Sequence, residues 1–396
     1  NPIASATTAN AGVPKIMSNP LLELQAAGQS VWYDNIERGM IVSGQLQRLI
    51  AEDGLRGMTS NPAIFEKAIA GSLAYAGALR QHASTDRSAL EVYEAIAIQD
   101  IQWAADVLLP VYEETEGRDG YISLEVSPHL AHDTEATVEE ALRLASDVGR
   151  RNLMIKVPGT SAGVPAIERL IGEGLNINVT LLFSVDGYVD VAEAYISGLE
   201  TLQACGGNLA DSASVASFFV SRIDAVVDGR IEAMLQAGAE RASDRMALRS
   251  LLGKVAIANA KLAYMRYEEL ISGPRWQSLA SQGARSQRLL WASTSVKNPA
   301  YRDVLYVEEL IGPDTVNTLP EATLNSFRDH GEVCSSLQEN SQEALDVMAA
   351  LEETGISIDE ITAQLQTDAV RLFVEPFDKL LASIESQSTA TQPKRA

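Results

Sequence analysis

The chain has 396 residues, 46% of them hydrophobic and 21% charged, and 53 Asp and Glu against 31 Lys and Arg leave a net charge of −22. That composition excludes a collagen, a coiled coil and a largely disordered chain, and this length buries enough apolar surface to need no disulfide or metal staple. So acidic a protein repels nucleic acid and anionic membrane surfaces, so neither is expected as a partner, and an anionic substrate needs a few local cations.

In chain order, residues 1–18 read as a flexible segment without the apolar stretch of a secretory signal, and Met17 reads as a native start. Eight short runs then read as strands: 30–36, 55–61, 121–127, 152–158, 177–183, 213–220, 288–294 and 314–320. Most are rich in Val, Ile, Leu, Thr or aromatics between Gly, Pro, Asn and Asp, as buried parallel strands are. Ala/Leu/Glu-rich stretches with helical period separate them, clearest at 88–115 and 250–270. No strand is followed by GxGxxG, so the alternation predicts a single (β/α)8 TIM barrel rather than a dinucleotide-binding fold.

Past the eighth strand the chain continues as helices. Gly355 is a helix stop, Ser357-x-x-Glu360 a capping box opening a helix towards 384, and Pro376 is expected to kink or break that helix. This gives a barrel domain over 19–385, including a C-terminal helical extension from about 335, and a flexible polar tail over 386–396. Such an extension usually packs against the barrel and can cover its mouth. No apolar run is long enough to span a membrane. Cys205 and Cys334 lack CxxC spacing, which fits a reducing cytoplasm where free cysteines usually serve packing.

Barrel enzymes keep their chemistry at the C-terminal ends of the strands. Polar residues stand there at Asp34, Asn61, Glu125, Lys156, Thr180, Ser217 with Arg222, and Ser293 with Lys297. Each has a plain alternative. Lys156, among Leu153, Met154, Ile155 and Val157, is either a snorkelling lysine or an amine desolvated so that its neutral form attacks a carbonyl. Asp34 and Glu125 are either paired core ions or the carboxylates that shuttle protons in Schiff-base chemistry. Asn61 before Pro62 is an N-cap that could also touch substrate. Thr180 is a strand former or the holder of a catalytic water. Arg222 and Lys297 are solvated loop cations or phosphate ligands, with Ser293 and Ser295 as further donors. His129 and His132 form HxxH without a third ligand, so no metal is expected. GxxxxGK[ST] is absent.

At these residues the sequence resembles the transaldolase family, particularly its longer bacterial form. The resemblance runs in order from about residue 20 to 332, through MTSNPAIFEKAI (58–69), SLEVSPHLAHDT (123–134), NLMIKVPGTSAGVPAI (152–167), NINVTLLFS (176–184), ASVASFFVSRID (213–224), LWASTSVKNPAY (290–301) and IGPDTVNTLP (311–320). It implies a class I aldolase barrel with no metal or organic cofactor. It makes Lys156 the Schiff-base lysine, Asp34 and Glu125 the acid/base carboxylates, and Thr180 the partner of Glu125 in holding water. Asn61 and Ser217 become contacts to a dihydroxyacetone unit and Arg222 the main phosphate ligand. Shorter members carry an arginine near the position of STSVKN, so Ser293 and Lys297 are the implied phosphate ligands of the seventh strand.

The implied reaction moves dihydroxyacetone from sedoheptulose 7-phosphate to glyceraldehyde 3-phosphate, giving erythrose 4-phosphate and fructose 6-phosphate. The expected partners are therefore sugar phosphates, for a cytoplasmic monomer or homodimer. Related simple aldolases bear Gln and Tyr at the positions of Glu125 and Phe219, so this chain points to transfer. A fructose 6-phosphate aldolase and a non-catalytic sugar-phosphate-binding barrel are the rival readings.

Overall fold

The computed structural model describes residues 19–83, 87–238 and 242–391. The segment 1–18, with Met17, and the last residues, 392–396, lie outside the described residues. Eight parallel strands run in chain order: β1 (Gln29–Asp34), β2 (Gly57–Thr59), β3 (Tyr121–Glu125), β4 (Leu153–Pro158), β5 (Ile177–Leu182), β6 (Ser214–Phe219), β7 (Arg288–Ala292) and β8 (Thr315–Leu319). Each pairs with the next, and β8 returns to β1 through the register Gln29–Thr315 to Tyr33–Leu319, closing the barrel. Helices cover the outside, so strand residues on both faces are buried, and the runs read as nearly continuous apolar stretches for that reason.

The N-terminal end of the barrel is closed by a polar plug. Arg288 of β7 pairs with Asp119 at 2.9 Å and donates to Ser30 Oγ of β1 at 2.8 Å, while Trp32 Nε1 donates to Asp119 Oδ1 at 3.0 Å. Opposite Trp32 in register stands Gly57, where an added Cβ would lie 2.5 Å from the indole. Only glycine lets β2 pass that ring.

The helix expected over 88–115 is present as Ala89–Glu114, opened by a full capping box between Ser88 and Glu91. The single helix expected over 250–270 is two: Ala242–Leu251 and Val255–Ser272. Gly253 interrupts them at φ +70°, packed under the Tyr301 ring. The freed backbone donors are taken up by buried carboxylates, Gly253 N by Asp228 and Ala256 N by Asp224.

Gly355 takes φ +80°, and Ser357 Oγ accepts from Glu360 N at 3.2 Å, so the predicted stop and start are both present. The helix that follows runs from Ile358 to Thr391, straight through Pro376 and into the stretch expected as tail. Proline removes one backbone bond, but Ile361, Ala369, Phe373, Phe377, Leu380 and Ile384 bury one face of this helix and hold it together. The helix crosses the C-terminal mouth of the barrel. Gln366 Nε2 donates to Gly159 O at 3.0 Å and Leu181 O at 3.2 Å, at the ends of β4 and β5. Cys205 and Cys334 are both exposed, so neither serves packing; Cys205 ends helix Val185–Ala204 at the surface. Among the described residues no helix is long and apolar enough to cross a membrane.

Candidate active site

Strand periodicity assembles the site. In a parallel sheet, residues in register on neighbouring strands share a face. Glu125 of β3 stands opposite Lys156 of β4, and Lys156 opposite Asn178 of β5. Lys156 is 4% exposed and Glu125 7%. Lys156 Nζ lies 3.1 Å from Glu125 Oε2 and donates to Ser60 O at 3.1 Å. The Phe373 ring of the C-terminal helix faces the same nitrogen, 5.5 Å from its centroid. The snorkelling alternative fails here, since the ammonium end is as buried as its stem.

Burial drives the protonation chemistry. It pushes the Glu125 carboxyl up to about 7, against the pull of Lys156 and with a small upward push from Asp34. Asp34, at the end of β1, is likewise raised by burial and held back by Lys156 and by Thr59. Thr59 Oγ1 donates to Asp34 Oδ1 at 2.8 Å and lies 2.8 Å from Thr318 Oγ1, which orients the Thr59 hydroxyl on the carboxylate. Two carboxyls poised towards neutrality beside one amine can give and take protons during carbonyl chemistry.

Thr180 lies where the β5–β6 register shifts, between Val179 and Leu182, and the next residue, Leu181, adopts φ +61°. A bulge of this kind re-aims the adjoining side chain. Thr180 Oγ1 and Glu125 Oε1 are both buried and have no hydrogen-bond partner among the described residues. Ser217 Oγ donates to Asn178 Oδ1 at 2.7 Å, and Asn178 Nδ2 to Ser123 Oγ at 3.0 Å, a polar rung across β3, β5 and β6. Asn61 caps helix Pro62–Gly71, its side chain accepting from Ile64 N at 3.0 Å.

The remaining three residues gather beyond β6 and β7. Ser293 adopts φ +55°; its carbonyl accepts from Ser221 N at 3.1 Å, and its hydroxyl lies 3.2 Å from that of Ser221. Ser221 opens the helix Ser221–Gln236, whose N-terminus carries no side-chain cap. Arg222 follows, its guanidinium over the Phe219 ring at 5.4 Å. Lys297 Nζ donates to Ser295 Oγ at 2.6 Å. Burial lowers the pKa of Arg222, and burial together with the charge of Arg222 lowers that of Lys297. Neither cation has a carboxylate partner among the described residues, despite the acidity of the chain. Two unneutralised cations at an uncapped helix N-terminus suit a phosphate dianion.

The sequence matches the model of the family described as Transaldolase/Fructose-6-phosphate aldolase over residues 31–384. The chain belongs to that family. It is 48% identical over 380 residues to the transaldolase of Trichodesmium erythraeum, covering 96% of this chain and all of that protein. Transaldolase 2 of a Nostoc species is 48% identical over 377 residues, covering 95% of this chain and 99% of the relative. Transaldolase 1 of Streptomyces avermitilis is 47% identical over 365 residues, covering 92% and 94%.

The structure also adds residues that sequence reasoning did not single out. Asn178 lies two positions before Thr180 on one strand, so strand alternation could have found it. Thr59 and Thr318 passed as ordinary β-branched residues. Phe373 and Gln366 arrive from the C-terminal helix and carry no local signal. His129, suspected of nothing but an HxxH spacing, pairs with Asp378 of that helix at 2.7 Å.

Proposed function

We propose that this family member is a transaldolase, moving a dihydroxyacetone unit from sedoheptulose 7-phosphate to glyceraldehyde 3-phosphate through a Schiff base on Lys156. The observation that carries the reading is the Lys156–Glu125 pair, a buried amine 3.1 Å from a carboxylate inside the barrel mouth. Glu125 takes the proton from the amine, and the neutral nitrogen attacks the ketose carbonyl. Glu125 and Thr180, each with an unpartnered buried oxygen, hold the water that returns a proton as the carbinolamine loses hydroxide. Asp34, oriented by Thr59, accepts the C4 hydroxyl proton as the C3–C4 bond breaks and the electron pair enters the imine. Asn61 and Ser217 contact the hydroxyls of the three-carbon unit. Arg222 takes the phosphate, with Ser293 and Lys297.

Fructose 6-phosphate aldolase activity is the second reading, since the family includes it. Phe219 speaks against it. It lies 5.2 Å from Phe183, ring to ring, and offers no hydroxyl to protonate an enamine. A purely binding barrel has no use for an amine desolvated beside two carboxylates. The reading further takes the protein as cytoplasmic and as a monomer or homodimer.

Borohydride trapping with fructose 6-phosphate, followed by peptide mass mapping, tests it. A three-carbon adduct on Lys156 is expected, together with turnover lost by several orders of magnitude in Lys156→Ala. An unmodified Lys156, under conditions that trap a known class I aldolase, would overturn it.

A further inference from the structure

After cleavage, the enamine on Lys156 has two fates. Its nucleophilic carbon can attack the aldehyde carbon of an acceptor, forming a C–C bond while the aldehyde oxygen takes up a proton. Alternatively that carbon takes a proton from water, and the resulting imine adds water to release free dihydroxyacetone and the lysine amine. Both fates start from the same intermediate, so access of water decides between them.

The strand-end groups reach Lys156 from the barrel wall, whereas Phe373 reaches it from the helix Ile358–Thr391. Its ring faces Lys156 Nζ at 5.5 Å and is 6% exposed. The helix that carries it is held on both sides of this point. Gln366 is bonded to Gly159 O and Leu181 O; Phe377 packs edge-on against Tyr93 at 5.4 Å; Asp378 pairs with His129 at 2.7 Å and Lys379 with Glu66 at 2.6 Å. A benzyl group so fixed offers water no hydrogen bond and has no proton to give.

We propose that Phe373 is the water-excluding wall of the lysine site and a specificity-determining residue, setting how much of the enamine is transferred and how much is hydrolysed. The inference rests on the Schiff-base reading above. In the full-length protein, dihydroxyacetone released from fructose 6-phosphate without acceptor is measured against transfer to erythrose 4-phosphate. Phe373→Ala is expected to raise the ratio of release to transfer roughly tenfold, and Phe373→Leu, equally apolar, to keep it within about twofold of the parent. A ratio unchanged in Phe373→Ala overturns the proposal whatever happens to the overall rate. A rise in Phe373→Leu as large as in the alanine variant overturns it too. Should Phe373→Ala not fold, Phe373→Val is read in its place against the same two outcomes. Borohydride trapping of the parent separates the two levels: no adduct on Lys156 strikes the Schiff-base reading, whereas an adduct with an unchanged ratio strikes the wall alone.

Discussion

Replacing Lys156 by Met removes the cation that Glu125 faces at 3.1 Å while keeping most of the side-chain volume. The consequence is a pH-dependent loss of stability whose size follows from proton linkage. An ordinary Glu carboxyl titrates near 4.5, and burial raises Glu125 to about 7 even with Lys156 beside it. Between these values the native protein holds a proton that the unfolded chain has released, so stability falls as pH rises, in parent and variant alike. Above about 7 the parent has ionised Glu125 into its ion pair, and its slope from this group vanishes. In the variant nothing offsets burial, Glu125 stays protonated, and the loss continues at about 1.4 kcal/mol per pH unit. By about pH 8.5 the gap between the two proteins is therefore wider than at pH 6 by about 2 kcal/mol. Urea denaturation followed by the fluorescence of buried Trp32 and Trp291 measures it at both pH values. An equal gap at pH 6 and 8.5 would refute the premise that Lys156 is what allows Glu125 to ionise.

Three further outcomes follow from single contacts. Arg222→Ala is expected to raise KM for phosphorylated substrates by roughly 10- to 100-fold, the equivalent of a charge-assisted bond of about 1.5–3 kcal/mol, while unphosphorylated fructose is turned over as before; equal losses on both would remove Arg222 from the phosphate site. Gly57→Ala drives a Cβ to 2.5 Å from the Trp32 indole, which is fully buried. It should destabilise by about 1–3 kcal/mol in urea, and a change within about 0.5 kcal/mol would show that β2 can shift to admit it. Pro376→Ala restores the backbone donor for Leu372 O inside helix Ile358–Thr391 and should stabilise by about 1–3 kcal/mol with activity retained; a loss of stability would mean that the proline ring packs better than it disrupts.

The strands were legible as short apolar runs between turn residues, and the chemistry as the charged residue near the end of such a run. A run such as YISLEVS or NLMIKVP is mostly apolar and carries a single charged residue, which in a parallel barrel must point either into the helices or into the mouth. Glu125 and Lys156 were therefore visible as candidates before any geometry, and their register placed them side by side. Boundaries were less legible. The break at Gly253 depends on Tyr301 and on two carboxylates, Asp224 and Asp228, that reach it from another helix, and nothing within 250–270 announces them. Pro376 misled for the mirror reason: a local rule said break, and burial of Phe373 and Phe377 on either side overrode it.

The same division runs through the site itself. The groups proposed to make and break bonds sit on strand ends, where neighbouring strands hold their side chains: Glu125 faces Lys156, Thr59 donates to Asp34, and Ser217 donates to Asn178. The group that faces Lys156 Nζ from the C-terminal helix is different in kind. Phe373 needs only to be apolar, large and held still, so any of several residues on an amphipathic helix would look alike in sequence, and Leu365, Phe377 and Leu380 share its pattern. What distinguishes it is the tether at Gln366, which fixes the helix to Leu181 O, the carbonyl of the residue that adopts φ +61° beside Thr180. The bulge that aims Thr180 therefore also supplies the anchor for the wall over Lys156, and a change at Leu181 would be felt by both.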